Sequence, residues 1–325
     1  MAWKELGAYS FADAFTPSHE LLEEFDTVSE LIDWQTIESL LSPICNSKVG
    51  KKAYPPLVLF KAVLLQKWHN LSDVKLEKQL VRDLLFKRFT GLSLNDPTPD
   101  HSTISRFRKR ILEHNLEDKL MIEINVQLQA SGAMIKTGAI SIIDASVVEA
   151  KNSRPKTNPK GEKTQDKEAR YTSKFGADGQ FKTTYGFKNH MNVDKDGLIQ
   201  KTLCTAANLH DSKPFEQLLT GKESAATADK AYFSKRHLAL LKAKEVKNML
   251  LYKAARNLPL TEEQQLHNLF ASQVRNVVER VFGTLKTVYG MGKARYLGIR
   301  MNQLDFIFMA IAYNLKRGNT LLKIV

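Results

Sequence analysis

Cysteine is nearly missing from this chain: two in 325 residues, Cys45 and Cys204, far apart and without CxxC or Cys/His ligand spacing. That scarcity argues against a disulfide framework or a zinc site, and for buried thiols in a reducing cytosol. Long apolar runs are lacking too. The longest are interrupted by charge and fall well short of a membrane span. The first residues, Met1-Ala2-Trp3-Lys4-Glu5, lack the basic-then-apolar order of a secretory signal, so a cytoplasmic protein is expected. Acidic residues are in deficit, 35 against 48 Lys and Arg, giving a formal charge of +13 and a pI near 9.5. A polyanionic partner, nucleic acid first, is the simplest account, with plainly solvated lysines as the alternative. No internal repeat is present.

A hydrophobic content of 43% over 325 residues supports a substantial core and room for two domains. The first fifty residues are acidic and mixed. From Tyr54-Pro55-Pro56 the run Leu57 to Leu65 reads as a buried helix opened by proline. Ser72-Asp73 caps a second helix expected to run to about Phe89 and stop at Gly91. The turn Asn95-Asp96-Pro97-Thr98-Pro99 precedes a third, beginning near Ser102, and a fourth ends near Ala130. Gly132 and Gly138 bracket a boundary, so residues 1–133 are expected to form an all-α domain and 134–325 a second one.

In the second domain strands are expected over 139–148, 184–193, 198–206, up to Asp229 and over 248–252. The turn Asp194-Lys195-Asp196-Gly197 joins two of them as a hairpin. Lysine-rich residues 151–180, poor in large aliphatics, read as a flexible basic loop. Helices are expected over 211–219, over 234–244 and from about Thr261 onward. Three strands, helix, strand, helix, strand, helix is the order of a ribonuclease-H-like fold: a mixed five-stranded sheet flanked by helices.

Three carboxylates stand out against this pattern. Asp144 interrupts the apolar strand Ser141-Ile142-Ile143-Asp144-Ala145-Ser146, and an unpaired buried carboxylate is costly enough to demand a partner. Asp229 ends the run Ala225-Ala226-Thr227-Ala228, at the strand edge where open α/β sheets place their chemistry. Glu279 follows Arg275 by one helical turn, and Lys286 falls within roughly 40° of that pair at 100° per residue. Val274, Val277, Val281, Leu285 and Val288 occupy the neighbouring face. Separately these are a strand carboxylate, a loop carboxylate and an ordinary i,i+4 ion pair. Together they suit divalent-metal phosphoryl transfer.

At these residues the chain resembles the insertion-sequence transposases of the IS-five type, within the IS-four superfamily of DDE enzymes. Arg275, Glu279 and Lys286 match that family's signature of arginine, three residues, glutamate, six residues, lysine; its preceding tyrosine is Ser272 here. Thr227-Ala228-Asp229-Lys230-Ala231-Tyr232 resembles the second acidic motif, with alanine at both glycine positions. Tyr185-Gly186-Phe187-Lys188-Asn189-His190 resembles the family's hairpin, and Asn208-Leu209-His210-Asp211-Ser212 the segment after it. Tyr54-Pro55-Pro56 and Asp100 to Arg108 resemble its helical amino-terminal domain. The resemblance implies a DNA transposase in which Asp144, Asp229 and Glu279 hold two Mg²⁺ ions, with Mn²⁺ as a substitute, about 3.5–4 Å apart. It implies phosphate contacts from Arg275 and Lys286. The partners it implies are double-stranded DNA, as terminal inverted repeats and as target, bound by a homodimer at the bacterial nucleoid and not at a membrane.

The helix from Ser102 offers Arg106, Arg108, Lys109 and Arg110 for DNA, with Ile104, Phe107 and Ile111 to pack against the domain; a solvated helix face is the alternative. Lys188 and His190 alternate to one side of a strand, where they reach flanking DNA or satisfy the interior. His210 beside Asp211 reads as part of a helix cap, and Trp3, Trp34 and Trp68 as packing residues. Two other functions stay open: a transposase-derived DNA-binding protein without catalysis, and a ribonuclease-H-like nuclease that cuts without joining.

Overall fold

The computed structural model describes residues 4–8, 14, 19–44, 52–133, 140–152, 157–162, 165–175, 179–254 and 258–323. Trp3, Cys45 and Gly138 lie outside them. The chain forms two compact units, Met1–Met134 with Ile307–Val325, and Ile135–Phe306. The carboxyl-terminal stretch thus belongs to the first unit, whereas the sequence pattern assigned it to the second.

The first unit is helical: α1 (Asp26–Glu30), α2 (Trp34–Leu41), α3 (Pro56–Trp68), α4 (Asp73–Arg82), α5 (Leu84–Thr90), α6 (His101–Glu113) and α7 (Glu117–Ala130). Proline at the first position of α3 costs no hydrogen bond there and presets the backbone. Almost every side chain of α3 is buried, Gln66 and Lys67 included, which makes it the central helix. The single helix expected from Ser72 is two. Ser72 caps α4, and Asp83 leaves helical geometry at φ −105°, ψ 118°. Asp83 then accepts from Leu85 N at 2.9 Å and starts α5, which Gly91 ends at φ 77°. In the core Phe25 stacks on Trp68 at 4.6 Å between ring centres. The Trp68 indole donates to the Ala312 carbonyl at 2.7 Å.

The second unit contains β1 (Ile140–Glu149), β2 (Arg170–Phe175), β3 (Phe181–Val193), β4 (Ile199–Ala206), α8 (Phe215–Leu218), β5 (Ala225–Ala228), α9 (Lys235–Ala243), β6 (Lys247–Asn248) and α10 (Glu262–Thr287), and α11 (Ile299–Leu322) begins within it. The sheet runs β2-β3-β1-β5-β6, with β4 also paired to β3. β1 pairs antiparallel with β3 and parallel with β5, β3 antiparallel with β4, and β5 parallel with β6. With β2 set aside this is the ribonuclease-H-like arrangement. The expected hairpin turn is present: Asp194 Oδ1 accepts from Leu198 N at 2.8 Å.

The sixth strand comes from the stretch expected to be a loop. β2 pairs with the first half of β3, and Tyr171 meets Tyr185 across the pair at 4.6 Å between ring centres. Ahead of it Asp166 and Ala169 are buried, and Asp166 Oδ2 accepts from Gly298 N at 2.7 Å. Beneath the sheet, Ile143, Ala226 and Ala228 pack with Phe215, Leu218 and Leu241.

Candidate active site

Strand register brings the first two carboxylates side by side. Ile143 pairs with Ala228 across the parallel β1 and β5, so Asp144 and Asp229 occupy the next step of the same ladder. β5 stops at Ala228 and the chain turns through Lys230–Tyr232, which leaves Asp229 at a strand end. The third carboxylate arrives on α10, whose start is fixed by a capping box between Thr261 and Gln264. Ala271, Val278, Val281, Phe282 and Leu285 form the buried stripe of α10. By helical geometry Arg275 lies within that stripe, between Ala271 and Val278, and Glu279 one turn further on its rim. The valines expected to do the packing do so only in part, since Val288 is exposed.

The three carboxylates meet at one guanidinium. Arg275 Nη2 lies 3.2 Å from Asp144 Oδ2 and 3.1 Å from Glu279 Oε1. Its Nη1 lies 3.7 Å from Asp229 Oδ1. Asp144 is oriented further by the Ala145 N–H, which donates to Oδ1 at 2.8 Å. Burial pushes the Asp144 pKa up; Arg275 opposes that and the Asp229 charge adds to it. Lys286 is exposed on α10. What shelter it has lowers its pKa, against the pull of Asp144.

Among the described residues no three His, Cys, Asp or Glu side chains are disposed as a ready metal cage. The carboxylates turn onto Arg275 instead. The donor set nonetheless fits a hard divalent cation: it is all carboxylate oxygen, presented by two adjacent strands and a packed helix, and already gathered on a positive charge.

Other residues singled out by sequence sit differently. Arg106, Lys109 and Arg110 are exposed on α6, while Ile104, Phe107 and Ile111 are buried. Arg108 is 1% exposed, ion-paired to Asp73 and bonded to Gln66. It is out of reach of DNA, because the helix wheel carries position 108 back toward the core. Lys188 and His190 are also buried. Lys188 Nζ lies 2.7 Å from Asp211 Oδ1 and donates to the Leu209 carbonyl at 2.7 Å. His190 Nε2 lies 2.8 Å from Thr205 Oγ1, and burial lowers its pKa to about 4. The hairpin's side chains therefore tie β3 to its own interior. His210 Nδ1 meets Ser212 Oγ at 2.8 Å, a local turn contact. Cys204 is a buried free thiol.

One residue near the site was not singled out as such by sequence. Tyr232 closes the turn after Asp229 and is 1% exposed, and among the described residues its buried hydroxyl has no hydrogen-bond partner. Burial, with Asp144, Asp211 and Asp229 in electrostatic range, holds its pKa well above the usual phenol value. Its position at the end of the second acidic motif was the available signal.

Residues 10–110 match the family model described as a transposase domain, and residues 136–315, more than half the chain, match the transposase DDE domain. The chain belongs to the DDE transposases. Membership makes it a DNA transposase, with nuclease and strand-transfer chemistry, DNA as its partner and a divalent metal in general use. A solved structure titled "Cryo-EM structure of piggyBac transposase synaptic complex with hairpin DNA (SNHP)" is similar over 93% of this transposase and 78% of that chain, at 12% identity and a TM-score of 0.40. Among the described residues no helix of the transposase is long and apolar enough to cross a membrane.

Proposed function

We propose that Asp144, Asp229 and Glu279 are the carboxylates through which this transposase holds Mg²⁺, as two ions with Mn²⁺ as a substitute. It uses them to cleave DNA at the terminal inverted repeats of an insertion sequence and to join the ends to a target. The observation that carries this reading is the convergence of three acidic side chains from β1, the end of β5 and α10 on one cation, Arg275. Bound divalent metal supplies Lewis acidity and lowers the pKa of attacking water.

The protein's own groups do the rest. The Ala145 N–H holds one oxygen of Asp144, and β1 and α10 fix where the carboxylates stand. Arg275 and Lys286 provide positive charge for the phosphates flanking the scissile bond, where negative charge builds in the transition state. Arg106, Lys109 and Arg110 grip the duplex backbone from the exposed face of α6. Two ends have to be joined, which suits a homodimer.

The test is a duplex carrying the terminal repeat, incubated with Mg²⁺ and Asp144→Asn, Asp229→Asn or Glu279→Gln protein. Each variant should lose end cleavage while still binding the duplex. Cleavage surviving in all three would remove the assignment.

A further inference from the structure

We propose that Arg275 is the internal counter-ion of the carboxylate centre, and that a divalent cation loads the site by displacing its guanidinium. The inference rests on the metal-holding reading of Asp144, Asp229 and Glu279, and goes one step past it.

All three carboxylates pair with Arg275. Among the described residues no other basic side chain lies in ion-pair range of them. Among the described residues its buried Nε has no hydrogen-bond partner, so the hold on the guanidinium comes through the two terminal nitrogens and those same oxygens. Any cation that takes the carboxylates takes the hold away.

The charges favour exchange. Three carboxylates facing one guanidinium keep two unbalanced negative charges, and a dication in its place leaves one. Oxygen donors of this hardness also prefer a compact dication to a delocalised guanidinium. The exit is open: Asp229 and Glu279 are 46% and 56% exposed at the side chain, while Asp144 is 20% exposed. The released guanidinium would move toward that side, where solvent or an incoming phosphate can pair with it. Metal and DNA then favour the same released state, and each strengthens the other's binding by the same factor.

The experiment titrates Mn²⁺ into DNA-free full-length protein, read by calorimetry and by the shift in Tm. Arg275→Gln should bind Mn²⁺ at least about tenfold more tightly than the unmodified protein, from a lower Tm without metal because three carboxylates then repel. Arg275→Lys keeps the charge and should stay near the unmodified affinity. Asp144→Asn should abolish the response in either background. Should Arg275→Gln bind no more tightly while Asp144→Asn still abolishes binding, the counter-ion role falls and the metal site stands. Should Asp144→Asn leave Mn²⁺ binding untouched, or the unmodified protein and Arg275→Gln both fail to bind, the metal site itself falls. If Arg275→Gln does not fold, the guanidinium ¹⁵N signals of the unmodified protein, assigned with Arg275→Lys, decide. Added Mg²⁺ should free Nη rotation at Arg275, and rotation that stays hindered at saturation overturns the exchange.

Discussion

Arg108 and Asp73 form an ion pair inside the helical unit, Arg108 1% and Asp73 25% exposed at the side chain. The other oxygen of Asp73 accepts from Gln66 Nε2 at 2.6 Å, and Gln66 Oε1 accepts from Arg108 at 3.3 Å. Three polar groups on α3, α4 and α6 thus bond to one another where water is scarce. Removing one member strands the others, which costs about 3 kcal/mol for a pair this sheltered. Arg108→Ala should lower stability by that order in urea unfolding, while the salt dependence of DNA binding stays as it was. A variant as stable as the unmodified protein would refute the structural role.

The opposite face of the same helix gives the contrasting result. Arg106 is exposed and, among the described residues, bonds to its own helix through Ser102 and Thr103. Arg110 is also exposed and donates to the Ile44 carbonyl at 2.8 Å. The bonds of Arg106 are local and weak against a phosphate contact assisted by charge, whereas that of Arg110 ties α6 to residue 44 within the helical unit. Arg106→Ala with Arg110→Ala should weaken duplex binding and reduce the slope of log K against log salt by about 2, one for each phosphate lost. The Arg106 change should cost little stability, and the Arg110 change about 1 kcal/mol through the lost Ile44 bond. A full slope in the double variant would reduce α6 to packing.

What could be read in the sequence, and what could not, divides along physical lines. Asp144 was legible because a carboxylate breaking an apolar strand needs a partner. Glu279 was legible because helix geometry sets Arg275 beside it. Neither argument could place Arg275 inside the packing stripe of α10, since that depends on which face the sheet covers. Lys188 and His190 failed for a related reason. Alternation gives them a common face but not its exposure, and the partners that make burial tolerable, Asp211 and the Leu209 carbonyl, lie about twenty residues downstream. β2 was missed because the lysine-rich, polar stretch around it hid a short run whose Tyr171, Thr172 and Phe175 favour strands. It pairs with the ladder that β3 offers. The break at Asp83 was missed because the apolar pattern continues across it, and only the capping bonds reveal two helices.

His190 makes stability depend on pH in a definite direction. Burial holds its folded-state pKa to about 4, with Asp211 pulling upward and Lys188 and Lys174 downward. The unfolded chain protonates it near 6.5. Between these values the unfolded state binds more protons, so stability falls as pH falls through that window. Asp194 acts the other way: burial raises its pKa to about 6, so its contribution is present at low pH and lost as pH rises through 6. Comparing His190→Gln with the unmodified protein cancels the Asp194 part. The unmodified protein should gain about 2 kcal/mol more than the variant between pH 5 and pH 7. Equal gains would mean that the imidazole titrates in the folded protein as it does in the unfolded chain.

Gly186, in the hairpin motif, explains why that position tolerates no side chain. It pairs with Glu149 on β1 and Arg170 on β2. A Cβ there would overlap the Val148 carbonyl oxygen and come within 2.9 Å of Ala150 N, the group that donates to the Tyr185 carbonyl at 2.9 Å. The obstacle is backbone, which cannot rotate away, so Gly186→Ala must push β1 and β3 apart a few residues from Asp144. A loss of about 3 kcal/mol is expected, with weaker protection of the β1 amides in hydrogen exchange. Gly283 is the control. It lies mid-way along the last turns of α10, nothing is within 4 Å of its added Cβ, and its φ is not positive. Gly283→Ala should instead stabilise the helix by about 0.5–1 kcal/mol. Opposite signs for two Gly→Ala changes separate crowding from propensity. If Gly186→Ala melts no earlier than Gly283→Ala, the strands have slack that the register denies.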